Sequence, residues 1–310
     1  MILTVTLNAA LDVTYQVDAL VPNSSHRVNT SFARAGGKGV NVARVLSGLG
    51  VPAVVTGLVG GPTGRAIRDD LRAARLPDEL VPMPGDSRRT VTVVSAEDGD
   101  ATVFNQTGPG VDAETWEHFT ARFTRLVRDA RVVVLSGSLP PGLPSDAYGR
   151  LVRLSAAAGA ETILDTSGGP LLAALTARPT VVKPNAAEIA EVTGDADPRS
   201  AAASLRSLGP RCVVASLGPD GLHAVTPEGS WRAVPPRKLA GNPTGAGDAC
   251  VAAIAAGLLA GEPWPAVLRE AVALSAAAVP CPLAGDFDAA LYERFRRTVP
   301  VEGLGAATGP

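Results

Sequence analysis

The chain has 310 residues with 28 Lys+Arg against 30 Asp+Glu, a formal net charge of −2, so it lacks the basic excess that marks a nucleic-acid-binding surface. With 46% hydrophobic residues, it can build a sizeable core as one large α/β domain or two smaller ones. Cys212, Cys250 and Cys281 are odd in number and lack metal spacing, and His26, His118 and His223 are scattered, which excludes a disulfide framework and a zinc cluster and points to a reduced cytosol.

The N-terminal MILTVTLNAALDVTY has no basic leader and no small-residue cleavage site, so its alternation reads as a strand and not a signal peptide, and a cytoplasmic location is expected. The uncharged runs near 249–261 and 271–285 are too short or too Pro-broken to span a bilayer, so no membrane partner is expected. In chain order, ILTVTL (2–7) predicts a strand, VNVARVLSGLG (40–50) an amphipathic helix, PAVVTGLV (52–59) a strand and TGRAIRDDLRAA (63–74) a helix. DAETWEHFTARFTRLVRDA (112–130) is a helix, RVVVLSG (131–137) an apolar strand and PSDAYGRLVRLSAAAG (144–159) a helix stopped by glycine. ETILD (161–165), TVVK (180–183) and RCVVAS (211–216) are further strands. Short apolar strands between helices predict a doubly wound, mainly parallel α/β sheet.

Two stretches break this rhythm. Residues 12–34 and 88–107 alternate apolar and polar side chains, and the second is expected to form a hairpin around EDGD (97–100). They predict half-exposed antiparallel strands, either in a small separate sheet or as an edge of the main one. VAAIAAGLLAG (251–261) predicts a buried helix with Asp248 in its first turn. Gly245 and Gly247 let backbone amides approach an anion there, but Asp248 equally suits an ordinary helix cap. VEGLGAATGP (301–310) is expected to be a disordered tail.

Several polar loops fall at the carboxyl ends of predicted strands, where open parallel sheets bind ligands. They are AGGKGVN (35–41), SGSLPPG (136–142), DTSGG (165–169), KPNAAE (183–188), SLGPDG (216–221) and GNPTGAGD (241–248). No G-x-x-x-x-G-K-[ST] and no G-x-G-x-x-G occurs, which counts against a P-loop ATPase and against a dinucleotide-dependent oxidoreductase. Lysine occurs only at 38, 183 and 238, and two of these three lie in the loops.

In this order AGGKGVNVARVL, SGSLPPGLP, KPNAAE, SLGPDG and NPTGAGD resemble the phosphofructokinase-B (ribokinase-like) carbohydrate kinases, from TLNAALDVTY to AGDFD (284–288). NVA after GGKG resembles the branch acting on phosphorylated ketohexoses, such as 1-phosphofructokinase and tagatose-6-phosphate kinase. The resemblance implies one Rossmann-like kinase domain over 1–310, with a small β lid inserted at about 12–34 and 87–108. It also implies ATP and Mg²⁺ as cofactors and a homodimer formed through the lid.

The resemblance makes Asp248 the catalytic base and Gly245, Ala246 and Gly247 the anion hole for the transferring phosphoryl group. Asn185 and Glu188 match N-x-x-E, which would organise the water shell of Mg²⁺, and Lys183 would contact nucleotide phosphates. Without the resemblance, Glu188 reads as a first-turn helix residue and Lys183 as a surface lysine. Ser216, Gly218 and Gly221 resemble the ATP-binding turn, though a plain β-turn fits them too. Asp12, Gly37, Lys38 and Asn41 resemble the sugar site. Arg27, Arg89 and Ser138 would hold the phosphate already on the sugar, with Arg88 interchangeable with Arg89. Exposed strand arginines are the alternative for Arg27 and Arg89.

Ala9 replaces the usual proline of TLNPA, and Val91, Val103 and Gln106 depart from the branch within the lid. The three lid departures bear on which sugar is bound, not on the kinase reaction. Fructose 1-phosphate is the leading expected substrate, with tagatose 6-phosphate and fructose 6-phosphate as alternatives. A catalytically silent sugar-phosphate sensor is the reading from another class. The intact GAGD and N-x-x-E motifs argue against it.

Overall fold

The computed structural model describes residues 1–97, 100–239 and 244–305. Residues 98–99 of the EDGD turn, 241–243 of the GNPTGAGD loop and 306–310 of the expected tail lie outside this set. The first half contains β1 (Ile2–Thr6), β2 (Ala10–Val17), β3 (Thr30–Gly36), α1 (Lys38–Gly48), β4 (Ala53–Val59), α2 (Gly61–Ala73) and β5 (Asp78–Pro82). It continues with β6 (Arg88–Ser95), β7 (Ala101–Asn105), α3 (Ala113–Leu126), β8 (Val132–Ser136), α4 (Ala147–Ala157) and β9 (Glu161–Asp165). Next come α5 (Gly168–Leu175), β10 (Val181–Val182), α6 (Ala186–Thr193), α7 (Pro198–Ser207), β11 (Cys212–Ser216), β12 (Leu222–Thr226) and β13 (Gly229–Ala233). The chain closes with α8 (Ala246–Ala260), α9 (Trp264–Ala278), α10 (Ala289–Phe295) and β14 (Val301–Gly303).

Ten strands form one sheet in the order β14-β13-β12-β11-β10-β9-β8-β1-β4-β5. The seven from β11 to β5 run parallel, and β12, β13 and β14 add an antiparallel edge. Alternate side chains feed two apolar layers. Ile2, Val132, Val134 and Ile163 pack against α1, α8 and α9, while Leu3, Val133, Leu135 and Leu164 pack against α3, α4 and α5. Covered on both faces, these strands can be apolar throughout. β1 sits between β4 and β8, so the chain leaves the centre of the sheet first one way and then the other. The crevice at that reversal is where an open α/β sheet accepts ligands.

The two aberrant stretches form a separate four-stranded sheet, β3-β2-β6-β7. Their expected antiparallel pairing holds for β2–β3 and β6–β7 but not at the centre, where β2 and β6 run parallel. Each stretch leaves the main sheet near the end of a parallel strand, so their first strands enter the small sheet in the same direction. Contrary to the expectation of a disordered tail from 301, the chain is still ordered there. Val301–Gly303 pairs with β13 as an edge strand, because Trp231, Arg232 and Ala233 present an unpaired backbone row there.

Candidate active site

A cleft of about 1330 Å³ opens at the carboxyl ends of β1, β8, β9, β10 and β11, beneath the small sheet. Five buried polar atoms with no partner among the described residues belong to residues lining it: Thr6 Oγ1, Asn8 Oδ1, Asn41 Oδ1, Ser136 Oγ and Asp165 Oδ2. Buried polar groups are normally paired, so their concentration here marks a surface shaped for a polar ligand.

Two helix N-termini meet in the cleft. α1 begins at Lys38 after Gly37, and α8 begins at Ala246 after Gly245. Both N-cap positions are glycines, and among the described residues no N-cap side chain bonds the first turn of either helix, so these helix starts favour an anion. Gly245 has φ +91°, and a Cβ there would fall 2.8 Å from the Ala284 Cα, so both conformation and space require glycine. The Ala246 carbonyl accepts from the Ser275 hydroxyl of α9 at 2.9 Å, which fixes the first turn of α8.

Asp248 does not cap its helix. Its carboxylate accepts from Asn41 Nδ2 at 2.8 Å, a buried bond linking the two helix starts. Burial, and secondarily the charge of Asp165, pushes its carboxyl up to about 7, against the opposing pull of Lys38, Asn41 and Lys183. A carboxylate tuned to neutrality is suited to exchanging a proton with a ligand hydroxyl.

Asp165 ends β9 with a side chain only 1% exposed, and its Oδ1 lies 3.3 Å from Lys38 Nζ and 3.4 Å from Lys183 Nζ. Burial opposes its ionised form, but the two ammonium groups prevail and hold the carboxyl below its usual range. Lys183 is held well above its ordinary value by the same pairing, despite its own burial. Lys183 and Lys38 thus stand as a fixed pair of cations on either side of one carboxylate.

Asn185, two residues beyond Lys183, and Glu188 form a reciprocal capping box at the start of α6. Asn185 Oδ1 accepts the Glu188 amide at 2.9 Å, and Glu188 Oε2 accepts the Asn185 amide at 2.8 Å. The helix-start reading of Glu188 is therefore realised, while both side chains still line the cleft. Ser216, Gly218 and Gly221 line it as well, with Gly218–Asp220 in a 3-10 turn. Asp12, Gly37, Lys38, Asn41 and Ser138 face the same space, and Asn8 Nδ2 donates to Ser138 Oγ at 3.2 Å.

Residues 5–289 match the family described as pfkB family carbohydrate kinase. The chain belongs to that family. This pfkB kinase is 34% identical over 279 residues to a tagatose-6-phosphate kinase of Staphylococcus epidermidis, spanning 87% of this chain and 89% of the relative. Its fold superposes on Escherichia coli phosphofructokinase-2, solved in complex with potassium, with a TM-score of 0.90 and 27% identity over 96% of this chain and 98% of that one. It also superposes on a possible 1-phosphofructokinase of Thermotoga maritima with a TM-score of 0.88 and 26% identity, over 98% and 99% of the two chains.

Within this carbohydrate kinase, two predicted residues stand apart from the cleft. Arg27 is exposed in the connection between β2 and β3 and does not line it. Arg89 points away, donating to Thr63 Oγ1 at 3.1 Å. Strand alternation puts its neighbour on the other face: Arg88 lines the cleft, donating to the Asn8 carbonyl at 3.0 Å and to Thr90 Oγ1 at 3.2 Å. Burial of Asp12 raises its carboxyl, with Arg88 the largest opposing influence. Asp165, Asn8 and Arg34 were not singled out by the sequence. DTSGG at a strand end signalled Asp165, but Asn8 and Arg34 carried no signal. Among the described residues no cluster of three or more metal-type ligands occurs, and no helix is long and apolar enough to cross a membrane.

Proposed function

We propose that this kinase transfers the γ-phosphoryl group of ATP, with Mg²⁺, to a phosphorylated ketohexose. The leading substrate is fructose 1-phosphate, phosphorylated on its 6-hydroxyl to fructose 1,6-bisphosphate. The observation that carries the reading is Asp248, buried, tuned to about 7 and held by Asn41 where two uncapped helix starts converge.

In this reading Asp12 and Asn41 orient the sugar, and Arg88 with Ser138 receives its existing phosphate; Arg88 takes the role expected of Arg89 and Arg27. Lys183, Asn185, Ser216, Gly218 and Gly221 form the nucleotide side. The acceptor hydroxyl gives its proton to Asp248 as its oxygen bonds to the γ-phosphorus and the bond to the ADP oxygen breaks. Amides at Gly245, Ala246 and Gly247 bear the charge on the phosphoryl oxygens. Lys183 and Lys38, fixed by Asp165, flank the path.

Mg²⁺ favours one or two carboxylates together with water and phosphate oxygens. Glu188, which spends Oε2 on its cap and lines the cleft with Asn185, fits that requirement. Asn185 and Glu188 are the residues that would hold it, through water, and the ion would neutralise phosphate charge. The small sheet acts as a lid that excludes water from the sugar. Phe32, Val103 and Phe104 are exposed on it, in keeping with a homodimer through the lid.

Tagatose 6-phosphate is the second reading, favoured by the name of the Staphylococcus epidermidis relative; fructose 6-phosphate follows from that of E. coli phosphofructokinase-2. ADP release measured on these three sugar phosphates, with fructose and ribose as controls, tests the assignment. Preference for an unphosphorylated sugar would remove the role given to Arg88. Binding of sugar phosphate without ADP release would instead support the silent sensor.

A further inference from the structure

We infer that Arg34 is a positioning residue that ties the lid to the anion-hole turn at the start of α8. The inference rests on the proposed roles of the lid and of Gly245–Gly247.

Arg34 lies on β3 directly opposite Asp12 on β2, so it shares a row of the lid with the expected sugar carboxylate. Its guanidinium leaves the lid and reaches the segment between α9 and α10. There Nη1 donates to Asp286 Oδ2 at 3.0 Å and Nη2 to Asp286 Oδ1 at 3.3 Å, a two-pronged pair. Nη2 also donates to the Ala284 carbonyl. Ala284 is the residue whose backbone lies against Gly245, close enough that a Cβ on that glycine would meet its Cα at 2.8 Å. Arg34 therefore joins the lid strand to the connecting segment, and that segment, through Ala284, packs on the residue that opens α8.

The neighbouring residues hold the same stem. The Ala35 amide donates to Asp70 Oδ2 at 2.9 Å, and Arg44 of α1 pairs with Asp70 and reaches the Ala35 carbonyl at 3.4 Å. Ala35 is thus anchored to α1 and α2, and Arg34 supplies the link to α8. Arg34 is mostly buried whereas Asp286 is about half exposed, with side chains 15% and 48% exposed. Removing the Asp286 carboxylate should therefore loosen the link without opening the core. A lid movement that shifts β3 is transmitted to the Ala284 carbonyl, so sugar capture and the shape of the anion hole are coupled.

The test compares wild type, Arg34→Gln, Arg34→Lys, Asp286→Ala and the Arg34→Gln/Asp286→Ala double variant. Amide hydrogen exchange across 245–249 is followed together with kcat and KM for the sugar phosphate that wild type turns over. Arg34→Gln and Asp286→Ala are each expected to speed exchange by about fivefold or more. They should lower kcat by about tenfold while sugar KM stays within about twofold. Arg34→Lys is expected to recover part of the loss, and the double variant to be no worse than Arg34→Gln, because both remove one link. Unchanged exchange in both Arg34→Gln and Asp286→Ala overturns the inference. So does a loss confined to KM, which would make Arg34 a plain sugar ligand, or a fully additive double variant. A wild type inactive on every sugar phosphate would sink the functional reading, and the exchange result would then decide the coupling alone.

Discussion

Asp248→Asn separates what the active site needs from what the fold needs. In the unfolded chain this carboxyl titrates near 3.8, whereas burial and Asp165 raise it to about 7 in the folded protein. Between those values the native state binds the extra proton, so its stability falls as pH rises through that window and then levels off. At about 1.4 kcal/mol per pH unit the full loss approaches roughly 4 kcal/mol above pH 7, of which roughly 2.5 kcal/mol accrues between pH 5 and pH 8. Asparagine is nearly isosteric and carries no charge, so the variant escapes this loss. Its stability relative to wild type should rise by roughly 2.5 kcal/mol from pH 5 to pH 8, or roughly 4 °C in Tm for a chain of this size. Taking the difference between two pH values cancels any packing change made by the amide. Turnover should fall by about 10²- to 10⁴-fold, the usual worth of a general base. Thermal melts of both proteins at the two pH values, with an ADP-release assay at pH 8, complete the experiment. An equal Tm difference at both pH values would refute the burial argument, and full activity would refute the role as base.

Asp165→Asn should move the acid limb of the kcat/KM–pH profile to lower pH than in wild type, because a charge that opposes ionisation of Asp248 is lost. The same change leaves Lys183, only 5% exposed, without its partner, so denaturant melts should show a loss of about 3–5 kcal/mol. Arg88→Gln should raise the sugar-phosphate KM by about 10- to 100-fold through a lost charged hydrogen bond, while Arg89→Gln, on the opposite face, should change it less than about twofold. Equal effects of these two would mean that the register of β6 does not decide the site. Glu188→Gln keeps an oxygen for the capping box but removes the charge, so Tm should hold. The Mg²⁺ concentration for half-maximal rate should rise several-fold; an unchanged requirement would confine Glu188 to its cap.

The parallel sheet was legible because runs such as RVVVLSG and ETILD are short, apolar and bounded by glycine, a pattern that buried strands require. The small sheet was legible as an exception, since its two stretches alternate in polarity where their neighbours do not. Its central parallel pair was not, because β2 and β6 are far apart in sequence and nothing local fixes which way they meet. Arg88 and Arg89 show the same limit at one residue: a slip of one position exchanges the two faces of a strand, and the sequence sets no register for β6. The hairpin of β12 and β13 went unseen because LHAVT is buried at every position, so no alternation marks it. Asp165 was visible only as the start of a polar loop. Its pairing with Lys38 and Lys183 needs residues from three separate strand and helix ends to converge, and that convergence belongs to the topology.

The two uncapped helix starts have a consequence for how ligands arrive. The whole chain carries a net charge of −2, so an approaching sugar phosphate or nucleotide meets a slightly repulsive surface from afar. Among the described residues six arginines and lysines against four carboxylates line the cleft, and the positive ends of α1 and α8 open into it. Within a Debye length of about 8–10 Å the attraction of the cleft takes over from the whole-molecule charge. The protein therefore selects its anionic ligands partly by range, drawing in those that reach the mouth of the cleft. Added salt should slow their capture even though it relieves the repulsion between bodies of like charge.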